Sequence, residues 1–305
     1  MVAVADLGVN IGSLRMKNPV TVASGTFGSG REYADFVDLA KLGAVTTKGV
    51  SLDGWEGNDT PRICETPSGM LNSIGLQNKG VKHMLADDLP YLREIGATVI
   101  VNISGHSIGE YVSVIEALED GHVDAYEINV SCPNVDAGGM TLGCDPASVA
   151  EVTRKCRAAT ERPVIVKLTP NVTDIAEIAK AAESEGADGI SLINTLLGMA
   201  VDAKTRRPKL ARIVGGLSGP AVKPVALRMV WQCRNAVSIP ILGMGGICTA
   251  EDAVEFMLCG ATAVAIGTAN FIDPSSTMKV IDGIDDYCDR NGITDVNELI
   301  GALEC

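Results

Sequence analysis

Residues 125–134 read AYEINVSCPN, a short apolar run ending in Asn129, Ser131, Cys132, Pro133 and Asn134, with a glycine-rich stretch, Val135 to Gly143, behind it. Strand alternation points Glu127, Asn129 and Ser131 to one face, and Ile128 and Val130 to the other. Pro133 ends the ladder and stiffens the exit. A thiol is thus held beside two carboxamides at the end of a rigid element, which is how reactive groups are mounted on a scaffold. Such a thiol either attacks an acyl carbon or, as thiolate, removes a carbon-bound proton. A nucleophilic cysteine usually has a histidine partner. Of the three histidines, His83 and His122 fall in helical or helix-end positions, and His106 reads as a loop residue. Cys132 therefore fits a base, its pKa lowered by nearby cations from about 8.5.

Lys48 and Lys167 also end apolar runs, as do Asn102, Asn129 and Asn194. A lysine can form a Schiff base with an aldolase substrate or with PLP. Two lysines, three carboxamides and one thiol suit a flat, hydrogen-bonding ring better. A lysine near the N1/C2 carbonyl of a flavin stabilises the negative charge of the reduced ring.

The elements that must position these groups alternate along the chain. Strand-like runs cover Val20–Ala23, Ala44–Lys48, Thr98–Asn102, Ala125–Val130, Val164–Lys167, Gly189–Asn194, Ile241–Met244 and Ala263–Gly267. Helical patterns lie between them, at Glu32–Leu42, Val81–Ile95, Ile108–Glu119, Pro146–Thr160, Asp174–Glu185, Pro220–Ala236 and Ala250–Cys259. Thr173-Asp174 and Thr249 start helices, and Gly43, Gly96, Gly186 and Gly260 stop them. Eight strand–helix units predict an α/β fold, a (β/α)8 TIM barrel formed as a single domain over residues 1–305. A doubly wound open sheet is the alternative architecture. Residues 1–18 are expected to form a short hairpin at the barrel bottom. Residues 49–80 and 195–220 are long loops on the C-terminal face, where barrels do chemistry.

Every strand end is polar or glycine-rich: Ser24, Thr47-Lys48, Asn102, Asn129, Lys167, Asn194-Thr195, Gly245-Gly246 and Gly267-Thr268. One such end is a turn-former more often than a ligand contact; eight together are hard to attribute to turns. GMGGI (243–247) and IGTAN (266–270) place consecutive N–H groups near helix starts after the last two strands, the usual phosphate site of a barrel. Gly215-Gly216 and Gly219, in GGLSGP, could add a third wall. No G-x-G-x-x-G fingerprint is present, so a Rossmann site is not indicated. The phosphate could belong to FMN, a sugar phosphate or PLP.

The totals narrow the class further. The chain has 305 residues, net charge −13 and 46% hydrophobic residues. That acidity argues against nucleic-acid and anionic-membrane binding, so an anionic ligand needs local cations. Nine cysteines, scattered and without a CxxC, match no disulfide framework, and no zinc or iron–sulfur ligand set. The N-terminus has no basic n-region and meets Asp6 early, unlike a signal peptide. No run approaches the ~20 apolar residues of a membrane span. A cytoplasmic protein without a bound metal is expected.

The chain resembles the class 1 dihydroorotate dehydrogenases over nearly its whole length. The matching segments are NPVTVASGTFG (18–28), TTKGV (46–50), MLNSIGLQNKG (70–80), NVSCPN (129–134), VIVKLTPNV (164–172), PILGMGGI (240–247) and AVAIGTANF (263–271). LINTLLGMAVDAKTRRPKLA (192–211) and GGLSGPAVKPVALRMVW (215–231) look like subtype B, the NAD-linked catalytic subunit.

The resemblance implies oxidation of dihydroorotate to orotate with FMN, in pyrimidine biosynthesis. Cys132 would take the C5 proton and Lys48 would contact both substrate and flavin. Asn72, Ser73, Ile74, Gly75, Leu76, Asn129, Asn194 and Thr195 would hold orotate. Ser24, Thr47, Asn102, Asn129, Lys167 and Ile193 would contact the flavin, and Gly219, Gly245, Gly246, Gly267 and Thr268 its phosphate. The loop 135–143 would close over the ring. The membrane, quinone-linked class is similar but carries an N-terminal extension and a serine base, and this chain has neither. The resemblance also implies a homodimeric core in a heterotetramer, whose second subunit carries FAD and a 2Fe–2S cluster. Thr205–Lys209 could meet that partner, although a solvated charge patch is the simpler reading. Cys144, a second thiol on the glycine-rich loop, reads as a bystander. The alternative is another FMN barrel reductase, acting on dihydropyrimidine or dihydrouridine.

Overall fold

A computed structural model describes residues 5–131 and 142–304. Eight short parallel strands, Val20–Val22, Val45–Thr46, Val99–Ile103, Ala125–Asn129, Val164–Lys167, Gly189–Leu192, Ile241–Met244 and Ala263–Ile266, form one sheet. They are called the first to eighth barrel strands below. The ladder runs from the second strand through the third to the eighth and on to the first. The first and second strands meet through Gly43 N donating to Val20 O at 2.9 Å and through the Thr21 and Thr46 hydroxyls at 3.0 Å, which nearly closes the barrel. This is the (β/α)8 architecture that the strand–helix alternation predicts.

All residues of the eight strands are buried. Barrel strands face packed side chains inside and helices outside, so they read as continuous apolar runs rather than alternating ones. Each fully buried Val, Leu or Ile contributes about 1.5–3 kcal/mol. Register places Asn102 opposite Glu127 and Asn129 opposite Lys167, which brings the polar strand ends to one level.

The helices Ile108–Leu118, Pro146–Ala158, Ile175–Ser184 and Ala250–Leu258 begin at Ser107, Asp145, Asp174 and Thr249, whose side chains accept backbone N–H groups of the first turn. Thr249 forms a full capping box with Asp252. Gly186 and Gly260 follow helices at φ +86° and +113°, where a side chain would be strained. Gly43 is needed for another reason. A Cβ there would stand 2.1 Å from Asn18 O, so the constraint is close approach.

Three expectations need amendment. Glu32–Leu42 is not one helix but two 3-10 turns, Arg31–Tyr33 and Leu39–Lys41. Asp38 is extended and its carboxylate accepts from Ala40 N, an alternative to helix that Asp side chains offer the backbone. The segments 49–80 and 195–220 are not plain loops. Ile63–Thr66, Gly69–Asn72, Val214–Ser218 and Leu196–Met199 form a four-stranded antiparallel sheet beyond the strand ends. A further helix, Ser276–Asn291, follows the eighth strand.

The N-terminal hairpin pairs Val9–Ile11 with Leu14–Met16. Ile11 packs on Gly189, where a Cβ would meet its Cγ2 at 2.7 Å, so the hairpin sits under the start of the sixth strand. No helix among the described residues is long and apolar enough to cross a membrane.

Candidate active site

The C-terminal strand ends and the small sheet above them enclose a cavity of about 390 Å³. Its floor is the barrel interior. Asn102, Asn129 and Lys167 reach it from the third, fourth and fifth strands. Lys167 Nζ donates to Ser24 Oγ at 3.3 Å, which ties the floor to the end of the first strand. Ser24 and Lys48 line one side, together with Gly49. A Cβ at Gly49 would lie 2.7 Å from Asn102 Oδ1, so only glycine lets the backbone approach that carboxamide.

Residues 72–76 form a second wall. Asn72 ends a strand of the small sheet, and its Nδ2 donates to Gly216 O at 3.4 Å. The loop beyond it is shaped by Asn58, whose Nδ2 donates to Ser73 O at 2.9 Å and whose backbone N donates to Ile74 O at 3.0 Å. Gly75 has φ +75° and packs on Asn58, whose Cγ would be 2.6 Å from a Cβ there. Leu76 also has positive φ, +56°. Opposite stand Ile193, Asn194 and Thr195. Asn194 Oδ1 accepts from Thr195 N at 2.9 Å, and Thr195 O accepts from Asn171 Nδ2 at 3.0 Å.

The far end is made of backbone. Gly219, Gly245, Gly246, Gly267 and Thr268 all line it. Gly219, Gly245 and Gly246 have φ of +100°, +126° and +81°. A Cβ on Gly246 would stand 2.9 Å from Gly219 O and 2.8 Å from Lys223 Cβ. Behind this end Lys223 Nζ meets Asp252 Oδ1 at 2.6 Å and Glu255 Oε2 at 2.7 Å. Asp252 Oδ2 in turn accepts from Cys248 N at 2.8 Å and Thr249 N at 2.9 Å. Burial pushes the Asp252 carboxyl up, but the Lys223 ammonium and these N–H groups outweigh it and hold the group below the usual Asp value. Its two carboxylate partners raise Lys223 above the ordinary lysine value.

Two features define what the cavity can hold. Among the described residues that line it, Lys48 and Lys167 are the charged ones, in a chain of net charge −13. Ser73 Oγ, Asn102 Oδ1 and Ser131 Oγ are buried without a hydrogen-bond partner. Buried polar atoms are normally paired, so these three are poised for a ligand.

The cavity brings together every proposed contact residue except two. Thr47 is buried, donates to Lys48 O at 3.2 Å and is not among the lining residues. Cys132 lies outside the described residues, as does most of the loop behind it. His106 stacks on Trp55 with ring centroids 4.0 Å apart and does not line the cavity. Cys144 is exposed, with Sγ 3.7 Å from Asn171 O, also away from the cavity. The Thr205–Lys209 segment is exposed, and Arg207-Pro208 pair with Val201-Asp202.

Sequence reading missed Asn58, Met70, Leu217, Ser218 and Phe271. The last four line the cavity. All but Phe271 belong to segments read as loop. Phe271 follows the glycine-rich IGTAN run and gives no signal of its own.

A (β/α)8 barrel with glycine N–H loops after strands seven and eight, two lysines and unsatisfied polar groups is a barrel of the kind that takes a flat, anionic, phosphate-bearing ligand. The dihydroorotate dehydrogenase family matches residues 6–287 of this chain. A protein of Alkaliphilus oremlandii named dihydroorotate dehydrogenase B (NAD(+)), catalytic subunit, is 59% identical over 298 residues, covering 98% of this chain and 99% of its own. Proteins with the same name from Bacteroides fragilis and Geotalea daltonii are 57% and 55% identical, over 98% of this chain and 99% and 98% of theirs. The chain belongs to the dihydroorotate dehydrogenase family.

Proposed function

We propose that residues 1–305 form one FMN-binding barrel that oxidises (S)-dihydroorotate to orotate in de novo pyrimidine biosynthesis. The observation that carries this reading is the charge of the cavity. Among the described residues, Lys48 and Lys167 are its charged lining groups in an acidic protein, as an anionic substrate and an anionic cofactor require.

The residues present fit FMN. The loops at 219, 245–246 and 267–268 would offer N–H groups to a phosphate, and Gly219 and Gly246 leave no room for a side chain. Ser24, Lys48, Asn102, Asn129, Lys167 and Ile193 would face the ring, and Thr47 would support Lys48 from behind. Bound FMN supplies a two-electron acceptor for the hydride that leaves C6 of the substrate.

The chain's own groups do the rest. Asn72, Asn129 and Asn194, with Ser73 and Thr195, pair the amide-like edges of the substrate ring, since a carboxamide both donates and accepts. Ile74, Gly75 and Leu76 shape the loop against it. Lys48 balances the substrate carboxylate. Cys132 takes the C5 proton on its sulfur, a role drawn from the NVSCPN sequence.

The relatives are named as NAD(+)-linked catalytic subunits. We infer that electrons leave through a separate subunit carrying FAD and a 2Fe–2S cluster, paired with a homodimer of this chain in a cytoplasmic heterotetramer. The discriminating experiment is a ligand titration of the FMN-loaded protein. Orotate should bind at least tenfold more tightly than uracil, which lacks the carboxylate. Equal affinities would favour a dihydropyrimidine or dihydrouridine reductase instead.

A further inference from the structure

Glu127 lies on the fourth strand with no exposed surface, beneath the cavity rather than lining it. Asn102 Nδ2 donates to its Oε2 at 2.5 Å and Ser191 Oγ donates to its Oε1 at 2.6 Å. Lys167 Nζ stands 3.8 Å from Oε2. A buried charge costs several kcal/mol unless it is well paired, and an apolar residue would pack a barrel interior at less cost. The carboxylate therefore calls for a role beyond packing.

Two consequences follow from its chemistry. A carboxylate only accepts hydrogen bonds, so the Asn102 amide must turn its NH2 group toward Glu127. That leaves Asn102 Oδ1 beside Gly49, buried, unpartnered and on the cavity wall. The wall thus offers an acceptor, not a donor, at this point. Glu127 also places a negative charge behind the Lys167 ammonium, which lines the same cavity. It offsets part of the positive potential that Lys167 projects into the cavity.

We propose that Glu127 is a positioning residue that fixes the hydrogen-bonding polarity of Asn102 and limits how strongly Lys167 favours the reduced, more negative form of the cofactor. This rests on the reading that FMN occupies the cavity, and the experiment separates the two. Apoprotein of the wild type and of Glu127→Gln is titrated with FMN. The two-electron midpoint of each complex is then measured by dithionite titration against reference dyes. Gln keeps the shape but removes the charge, and it can donate as well as accept. The reduced-to-oxidised ratio at a given potential should rise at least tenfold in the variant, a positive shift of about 30 mV, and FMN should bind at least threefold more weakly.

Ser191→Ala provides an arm of opposite sign. It keeps the carboxylate but removes one donor, so more negative charge reaches Lys167 and the ratio should fall at least threefold. A merely structural role would lower the melting temperature of both variants without moving the ratio in opposite directions. FMN binding with the ratio unchanged in Glu127→Gln overturns the inference. If that variant does not fold, an unchanged ratio in Ser191→Ala does the same. Failure of the wild-type apoprotein to bind FMN at all removes the cofactor reading, and this inference with it.

Discussion

Thr268 Oγ1 donates to Ser218 Oγ across 2.8 Å. The two residues come from different elements at the same end of the cavity, one after the eighth barrel strand and one from the small sheet above the strand ends. Each adjoins a glycine of the backbone cradle, Gly267 and Gly219. The bond therefore spans two of the three loops proposed to hold phosphate and fixes their separation.

Thr268→Val should loosen that cradle. A lost hydrogen bond of this kind is worth about 1 kcal/mol, so FMN should bind roughly 3- to 10-fold more weakly to the apoprotein. Fluorescence titration measures this directly. Unaltered affinity would mean that the loops are held by other contacts.

Gly246→Ala should act more severely. The position has φ +81°, and a methyl group would meet Gly219 O at 2.9 Å. Left-handed backbone costs a non-glycine residue roughly 1–2 kcal/mol, and the collision falls on backbone, which yields poorly. FMN affinity should drop at least tenfold while the barrel still melts cooperatively. Calorimetry of the apoprotein beside the FMN titration separates the two effects.

The barrel was legible because each strand is buried on both faces, so that VIVK at 164–167 or AVAI at 263–266 stands out as an apolar run with its polar end attached. That Lys167, Asn129 and Asn102 line the cavity was legible for the same reason, since a polar group ending such a run cannot avoid the barrel mouth. The sheet above the mouth was not. Its strands are short and glycine-rich, as in VGGLS, and Asn72 pairs with Gly216 across 144 positions, a distance that no local pattern reports. Asn58 was hidden likewise, because its work is done on a loop 15 residues away. Glu127 was visible as inward-facing, but its three partners come from other strands.

Lys48→Met should separate substrate from cofactor recognition. Removing one partner of a buried charge interaction costs about 2–5 kcal/mol. Orotate should therefore bind at least thirtyfold more weakly, uracil should be little affected, and FMN should remain bound. Equal losses for orotate and uracil would show that Lys48 does not meet the carboxylate.

The Lys223–Asp252 pair predicts an acid-dependent stability. The folded carboxyl of Asp252 is held below its unfolded value of about 3.9. Its contribution is present above that value and is lost as the pH falls through the lower folded value. The melting-temperature deficit of Asp252→Asn should thus be full at pH 6 and shrink on acidification below pH 4. A deficit independent of pH would assign the loss to packing rather than charge.

Anaerobic addition of dihydroorotate to the FMN-loaded protein tests the central claim most directly, with stopped-flow absorbance following the flavin. The wild type should bleach within seconds. Cys132→Ala should keep its FMN yet bleach at least a hundredfold more slowly, the scale of lost general-base catalysis. A wild-type protein that holds FMN but is not bleached by dihydroorotate would contradict the account.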